Sequence, residues 1–71
     1  MSVVKVIEVI AQSEKSWEDA AQAALREASK SVRGIQSIWI KEMQAIVEDG
    51  KIARYRINAK LSFLVDEKLK D

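Results

Sequence analysis

The stretch IQSIWIKEMQAIVEDGKIARYRINAKLSF, Ile35 to Phe63, decides the fold. Asp49-Gly50 stands between two alternating apolar runs, and Asp-Gly in that setting is a strong local signal for a tight hairpin turn, here Glu48 to Lys51. After the turn, Ile52 to Val65 places Tyr55, Ile57, Ala59, Leu61 and Phe63 on one face. Arg54, Arg56, Asn58, Lys60 and Ser62 fall on the other, the period of a strand with one side buried. Before the turn, Ile35 to Val47 alternates Ile38 and Ile40 with Ser37, Trp39 and Lys41, and the phase slips near Glu42-Met43. A β-bulge is expected at that slip.

Upstream, Val3 to Ala11 is short and β-branched, which suits a strand with both faces mostly apolar. Gln12 to Ser16 is a polar connection, and Ser16 with Asp19 three residues on makes a variant capping box. From there Trp17, Ala20, Ala21, Ala24, Leu25, Ala28 and Val32 recur at helical spacing, opposite Glu18, Gln22, Arg26, Lys30 and Arg33. Acidic residues open this helix, Lys30 and Arg33 are expected in its last turn, and Gly34 is expected to terminate it. Trp17 is expected to anchor the helix start against the sheet. Asp66 to Asp71 forms a charged tail expected to fray.

The element order predicts an α+β fold, β-α-β-β, with a three-stranded antiparallel sheet wrapped around one helix in a single domain over residues 1–71. A domain of 71 residues buries only ~60% of its unfolded surface, so its core needs a supplement. Cys and His are both absent, which removes disulfides, makes a zinc site implausible and leaves association between subunits. The same absence removes the commonest general base and thiol nucleophile, so an enzyme is disfavoured. Net charge is +1, giving no global field toward nucleic acid or an anionic membrane. The longest apolar run, Val3 to Ile10, is too short to span a bilayer, and a cytoplasmic protein is the expectation. The outer face of the sheet carries Trp39, half of the apolar first strand and the Arg54, Arg56, Lys60 stripe. A soluble monomer rarely leaves such a mixture exposed, so other subunits are expected to cover it.

Val4-Lys5-Val6-Ile7-Glu8-Val9, the helix start Ser16-Trp17-Glu18-Asp19-Ala20-Ala21, the Ile40-Lys41-Glu42 region and Tyr55 through Phe63 together resemble the dodecins. The resemblance covers nearly the whole chain and rests on length, element order and spacing more than on any single motif. It implies a hollow homododecamer that binds flavin, as FMN or riboflavin, between subunits. In flavin-binding members a tryptophan early in the second strand stacks on the ring, and a glutamine after the third-strand tyrosine bonds its pyrimidine edge. Those positions fall on Ser37 and Arg56 here. Losing the aromatic removes ~0.5–1.5 kcal/mol of stacking beyond area burial, and a guanidinium offers donors but no acceptor for the ring N–H. Flavin affinity is therefore expected to fall and its recognition to change. Tyr-Arg-Ile at 55–57 with Ser37 resembles a divergent, calcium-dodecin-like branch. Trp39, two residues beyond Ser37 on the same face and displaced by ~6.5 Å, has two readings: stacking on a ligand in a shifted pose or, favoured, packing across a subunit interface. Arg56 likewise has the alternative of pairing with Glu8, Glu42 or Glu48 of neighbours.

The leading expectation is thus a non-catalytic homododecamer that stores a small planar or anionic ligand, flavin or a relative, on a face bearing Ser37, Trp39 and Arg56. The alternative is a structural or calcium-binding assembly that does not bind flavin, with Glu48, Asp49, Asp66 and Glu67 as available oxygen ligands. Single-stranded nucleic-acid binding through a basic stripe and an exposed aromatic is weighed third and disfavoured by the near-neutral charge. No partnership with nucleic acid or membrane is expected.

Overall fold

The computed structural model describes residues 3–65. Four elements follow in order: β1 (Val3–Ser13), α1 (Trp17–Ala28), β2 (Ile35–Glu48) and β3 (Lys51–Val65). The strands form one antiparallel sheet in the order β1-β3-β2. The last strand therefore lies at the centre, and the helical crossover joins two edge strands that both pair with it. This is the β-α-β-β architecture the residue pattern predicts. The charged stretch from Asp66 lies outside the described residues.

The hairpin turn has Asp49 at φ 53° and Gly50 at φ 73°. Both central residues are left-handed, as a two-residue turn matched to strand twist requires, and Asp-Gly tolerates that geometry. The register between β2 and β3 shifts between Ile35 and Ser37, between Ile40 and Glu42 and between Ile46 and Val47. The second shift is the bulge expected near Glu42-Met43, with Lys41 the residue left without a partner. Lys41 shares the outer face with Trp39, where its ammonium reaches Glu8 of β1 across the central strand, and beyond the bulge Glu42 stands on that face as well.

Ser16 caps α1 as expected, its hydroxyl accepting from the Asp19 N–H at 2.9 Å. The Asp19 carboxylate does not return to Ser16; it accepts from the Ser13 hydroxyl at 2.6 Å, and Ser13 Oγ in turn accepts from the Lys15 N–H. Ser13 thereby ties the end of β1 to the start of α1, and β1 runs two residues beyond Ala11 to reach it. The helix ends earlier than the sequence suggests, at a Ser29 cap in right-handed conformation, with Arg26 the basic residue of its last turn. Lys30 and Arg33 lie past that end, and so does Gly34, whose φ of 70° serves the entry into β2. Ser29 and Ser31 lower helix propensity here, and Lys30 and Ser31 instead bond back three residues to Glu27 and Ala28.

The core is small. Ala20 of α1 and Ile57, Ala59 and Leu61 of β3 are fully buried, with Val9, Ala11, Trp17, Ala21 and Ile38 packed around the cluster. The alanine face lets the helix lie close on the central strand. Trp17 anchors its start: the indole N–H donates to the Gln44 carbonyl at 2.9 Å, and the ring meets Tyr55 edge-on at 4.9 Å between centroids.

Candidate functional site

On the face away from the helix, the register sets side chains in rows across all three strands. Val6, Ser62 and Ser37 form one row; Glu8, Lys60 and Trp39 the next; then Ile10, Asn58 and Glu42; then Gln12, Arg56 and Gln44. All three expected site residues, Ser37, Trp39 and Arg56, stand on this face. Ser37 and Trp39 occupy adjacent rows. Arg56 stands two rows beyond Trp39, about 13 Å along β3 at normal strand rise, and three rows, about 20 Å, from Ser37. One subunit therefore brings Ser37 and Trp39 together but not Arg56 with either.

Trp39 is 63% exposed. The Lys60 ammonium lies 5.3 Å from its ring centroid, covering one face of the indole and leaving the other free. Ser37 shares a hydrogen bond with Ser62 across the strand pair, so its hydroxyl is engaged. In the Glu8 row, Lys41 Nζ donates to the Glu8 carboxylate at 3.1 Å. That hydrogen bond and the Lys41 charge hold the Glu8 carboxyl below its ordinary value, with smaller contributions from Lys60 and Asn58.

Arg56 is oriented from β1: its Nε and Nη2 donate to Gln12 Oε1 at 3.2 and 3.0 Å. Arg54 pairs with Glu48 of its own hairpin at 3.0 Å. Both contacts lie within the chain, and the remaining guanidinium donors of Arg56 are left for a ligand or for the alternative of pairing with a neighbour's acid. Beside Arg56 lies a recess of about 140 Å³ lined by Ile10, Glu42, Gln44 and Asn58. Asn58 Oδ1 is buried without a hydrogen-bond partner. The strand alternation already placed Asn58 on this face, but nothing in the sequence distinguished its orphaned acceptor from an ordinary solvated amide.

Glu48 and Asp49 sit at the exposed hairpin end, and among the described residues no three His, Cys, Asp or Glu side chains gather closely enough to hold a metal. Asp66 and Glu67 lie outside the described residues. No helix among those residues is long and apolar enough to cross a membrane.

Comparison with known proteins agrees with this architecture. The dodecin family model matches residues 3–66. Calcium dodecin from Mycobacterium tuberculosis is 40% identical over 63 residues, covering 89% of each chain. Its crystal structure, described as that of a calcium-chelating antigen with a calcium-binding site, superposes with a TM-score of 0.79 over 92% of this chain and 93% of that one. Dodecin from Thermus thermophilus is 29% identical over 65 residues, covering 92% of this chain and 94% of its own length. An arginine-to-alanine variant of that protein superposes with a TM-score of 0.89, at 28% identity, over 94% of this chain and all of the other. The small strand-helix-strand-strand domain described above is thus a dodecin domain, and this chain belongs to the dodecin family.

Proposed function

We propose that this chain assembles into a homododecamer that binds and stores a small planar or anionic ligand, flavin or a chemical relative, without transforming it. The observation that carries the reading is the outer face itself. An exposed indole with one free side and an oriented guanidinium beside a recess are a stacking surface and a set of donors. The separation of Trp39 from Arg56 means that a ring of flavin size contacts both only when a second subunit brings its copy of the face across. Ser37, Trp39 and Arg56 are accordingly the proposed ligand residues, Trp39 from one subunit and Arg56 from its neighbour. A cytoplasmic location fits this storage role. The test is quenching of riboflavin and FMN emission on titration with the purified assembly.

A second reading has its own support in the 40% identity to calcium dodecin. Here the assembly binds calcium and not flavin. Since the described acids do not cluster within one chain, the ion would need oxygen ligands from more than one subunit. Calorimetric titration with calcium, run beside the flavin titration, separates the two readings.

A further inference from the structure

The register makes Lys60 the cross-strand partner of two residues at once, Glu8 on β1 and Trp39 on β2. Opposite charges facing each other across strands stabilise a sheet, so an ion pair with Glu8 is the ordinary outcome. Lys60 does not make it. Its ammonium forms no ion pair among the described residues and stands 5.3 Å from the Trp39 ring centroid. The Glu8 carboxylate is held instead by Lys41, at 3.1 Å, from the far side of the central strand. Lys41 can make that reach because the bulge leaves it without a cross-strand partner. Two lysines thus compete for one carboxylate, and the one that loses lies on the indole.

We propose that Lys41 is a positioning residue for Trp39: by holding Glu8 it sends Lys60 onto the indole, so that Trp39 offers a ligand one face instead of two. Where Lys41 is lost, or its ammonium is drawn off by an anion, Glu8 takes Lys60 and the second face opens. The side chains of the Lys41–Glu8 pair are 35% and 47% exposed, so burial does not lock the arrangement. At such exposure an ion pair and a cation over an indole are of similar strength, and the choice of partner for Lys60 turns on whether the carboxylate is already taken. The exchange of lysines belongs to the chain itself; its effect on a ligand rests on the reading of Trp39 as a stacking surface.

Acrylamide quenching of Trp39 emission tests this, because an uncharged quencher does not respond to the altered charge itself. In a Trp17→Phe background Trp39 is the sole indole. Lys41→Met is expected to raise the quenching constant about twofold as a second face opens. Glu8→Gln alone leaves it unchanged, since Lys60 is already on the ring. Glu8→Gln added to Lys41→Met is expected to return it to the starting value, because Lys60 then has no carboxylate to move to. A merely structural role for Lys41 would not be reversed by that second loss. No rise in Lys41→Met overturns the proposal. An equal rise in the double variant overturns it as well, since Lys41 itself would then be the shield. If Trp17→Phe does not fold, the 19F resonance of fluorotryptophan at position 39, and its shift between H2O and D2O, reads the same exposure without it. Riboflavin, also uncharged, supplies the ligand arm: its affinity is expected to tighten about twofold in Lys41→Met, as two faces replace one, and to return in the double variant. Quenching that follows the expected pattern in an assembly that binds no riboflavin supports the exchange of lysines and overturns the ligand reading alone.

Discussion

Lys60 and Trp39 are cross-strand partners, and the ammonium stands 5.3 Å from the indole centroid. The lysine therefore decides which side of the tryptophan a ligand can use. At an exposed site such a contact is worth about 0.5–1 kcal/mol. Lys60→Ala is expected to lower stability by about that amount at fixed protein concentration, and the loss should vanish in a Trp39→Leu background. An equal loss in both backgrounds would place the cation in solvent. If a planar ligand uses the free face, Lys60→Ala leaves its affinity within about twofold.

Acid should loosen the second row. Lys41 holds Glu8 below its ordinary value of 4.5, so the folded state prefers the carboxylate more than the unfolded chain does. The resulting stability is fully present above that value and is lost as pH falls through the lower folded value. Urea midpoints of wild type and Glu8→Gln, compared from pH 7 to pH 3, should therefore converge at the acid end. A gap that persists at pH 3 would assign the effect of Glu8 to something other than its charge.

The hairpin turn has a backbone requirement that can be isolated. Nothing lies within 4 Å of a Cβ added at Gly50, yet its φ is 73°. A side chain there meets no clash beyond its own left-handed conformation, which costs roughly 1–2 kcal/mol. Gly50→Ala should lose about that much in thermal or urea unfolding, whereas Asp49→Asn, which also tolerates φ 53°, should be nearly neutral.

The thin interface between helix and central strand offers a larger effect. Ala20 and Ala59 are both fully buried in one cluster, so Ala59→Leu must displace the helix or strain its neighbours. A loss of about 1–3 kcal/mol is expected, while Ile57→Ala, which opens a cavity, should lose about 2–5 kcal/mol. Denaturant midpoints that leave either variant unchanged would mean that the helix floats on the sheet.

Most of the fold was legible because local signals agreed. Alternation from Ile52 to Val65 fixed which face of β3 is buried, Asp49-Gly50 fixed the hairpin, and Ser16 fixed the helix start. The helix end was not legible. Gly34 has the left-handed backbone of a terminator, but the serines after Ala28 had already released the helix, and apolar spacing continued to Val32 without helical backbone beneath it. The candidate site was legible by face and not by distance. Alternation places Ser37, Trp39 and Arg56 on one side of the sheet; only the register reveals how many rows separate them. Lys60 over Trp39, Gln12 beneath Arg56 and the orphaned carbonyl of Asn58 depend on pairing between segments up to 44 positions apart, which periodicity within a segment does not carry.

Ser37→Trp should restore a stacking surface one row from Trp39. With stacking worth ~0.5–1.5 kcal/mol, flavin binding is expected to tighten roughly 2- to 10-fold. Equilibrium titration of the variant against wild type checks this, and no gain would put the ligand away from the Ser37 row.

The most direct measurement of the central claim is the flavin titration itself, repeated on Trp39→Leu, Arg56→Ala and an assembly broken into single subunits. Saturable quenching by wild type, weakened in each substituted form and absent from the dissociated chain, is the predicted result, because the site needs Trp39 of one subunit and Arg56 of another. Quenching undiminished in the dissociated chain or in both substituted forms would contradict it, as would no quenching by an intact wild-type assembly.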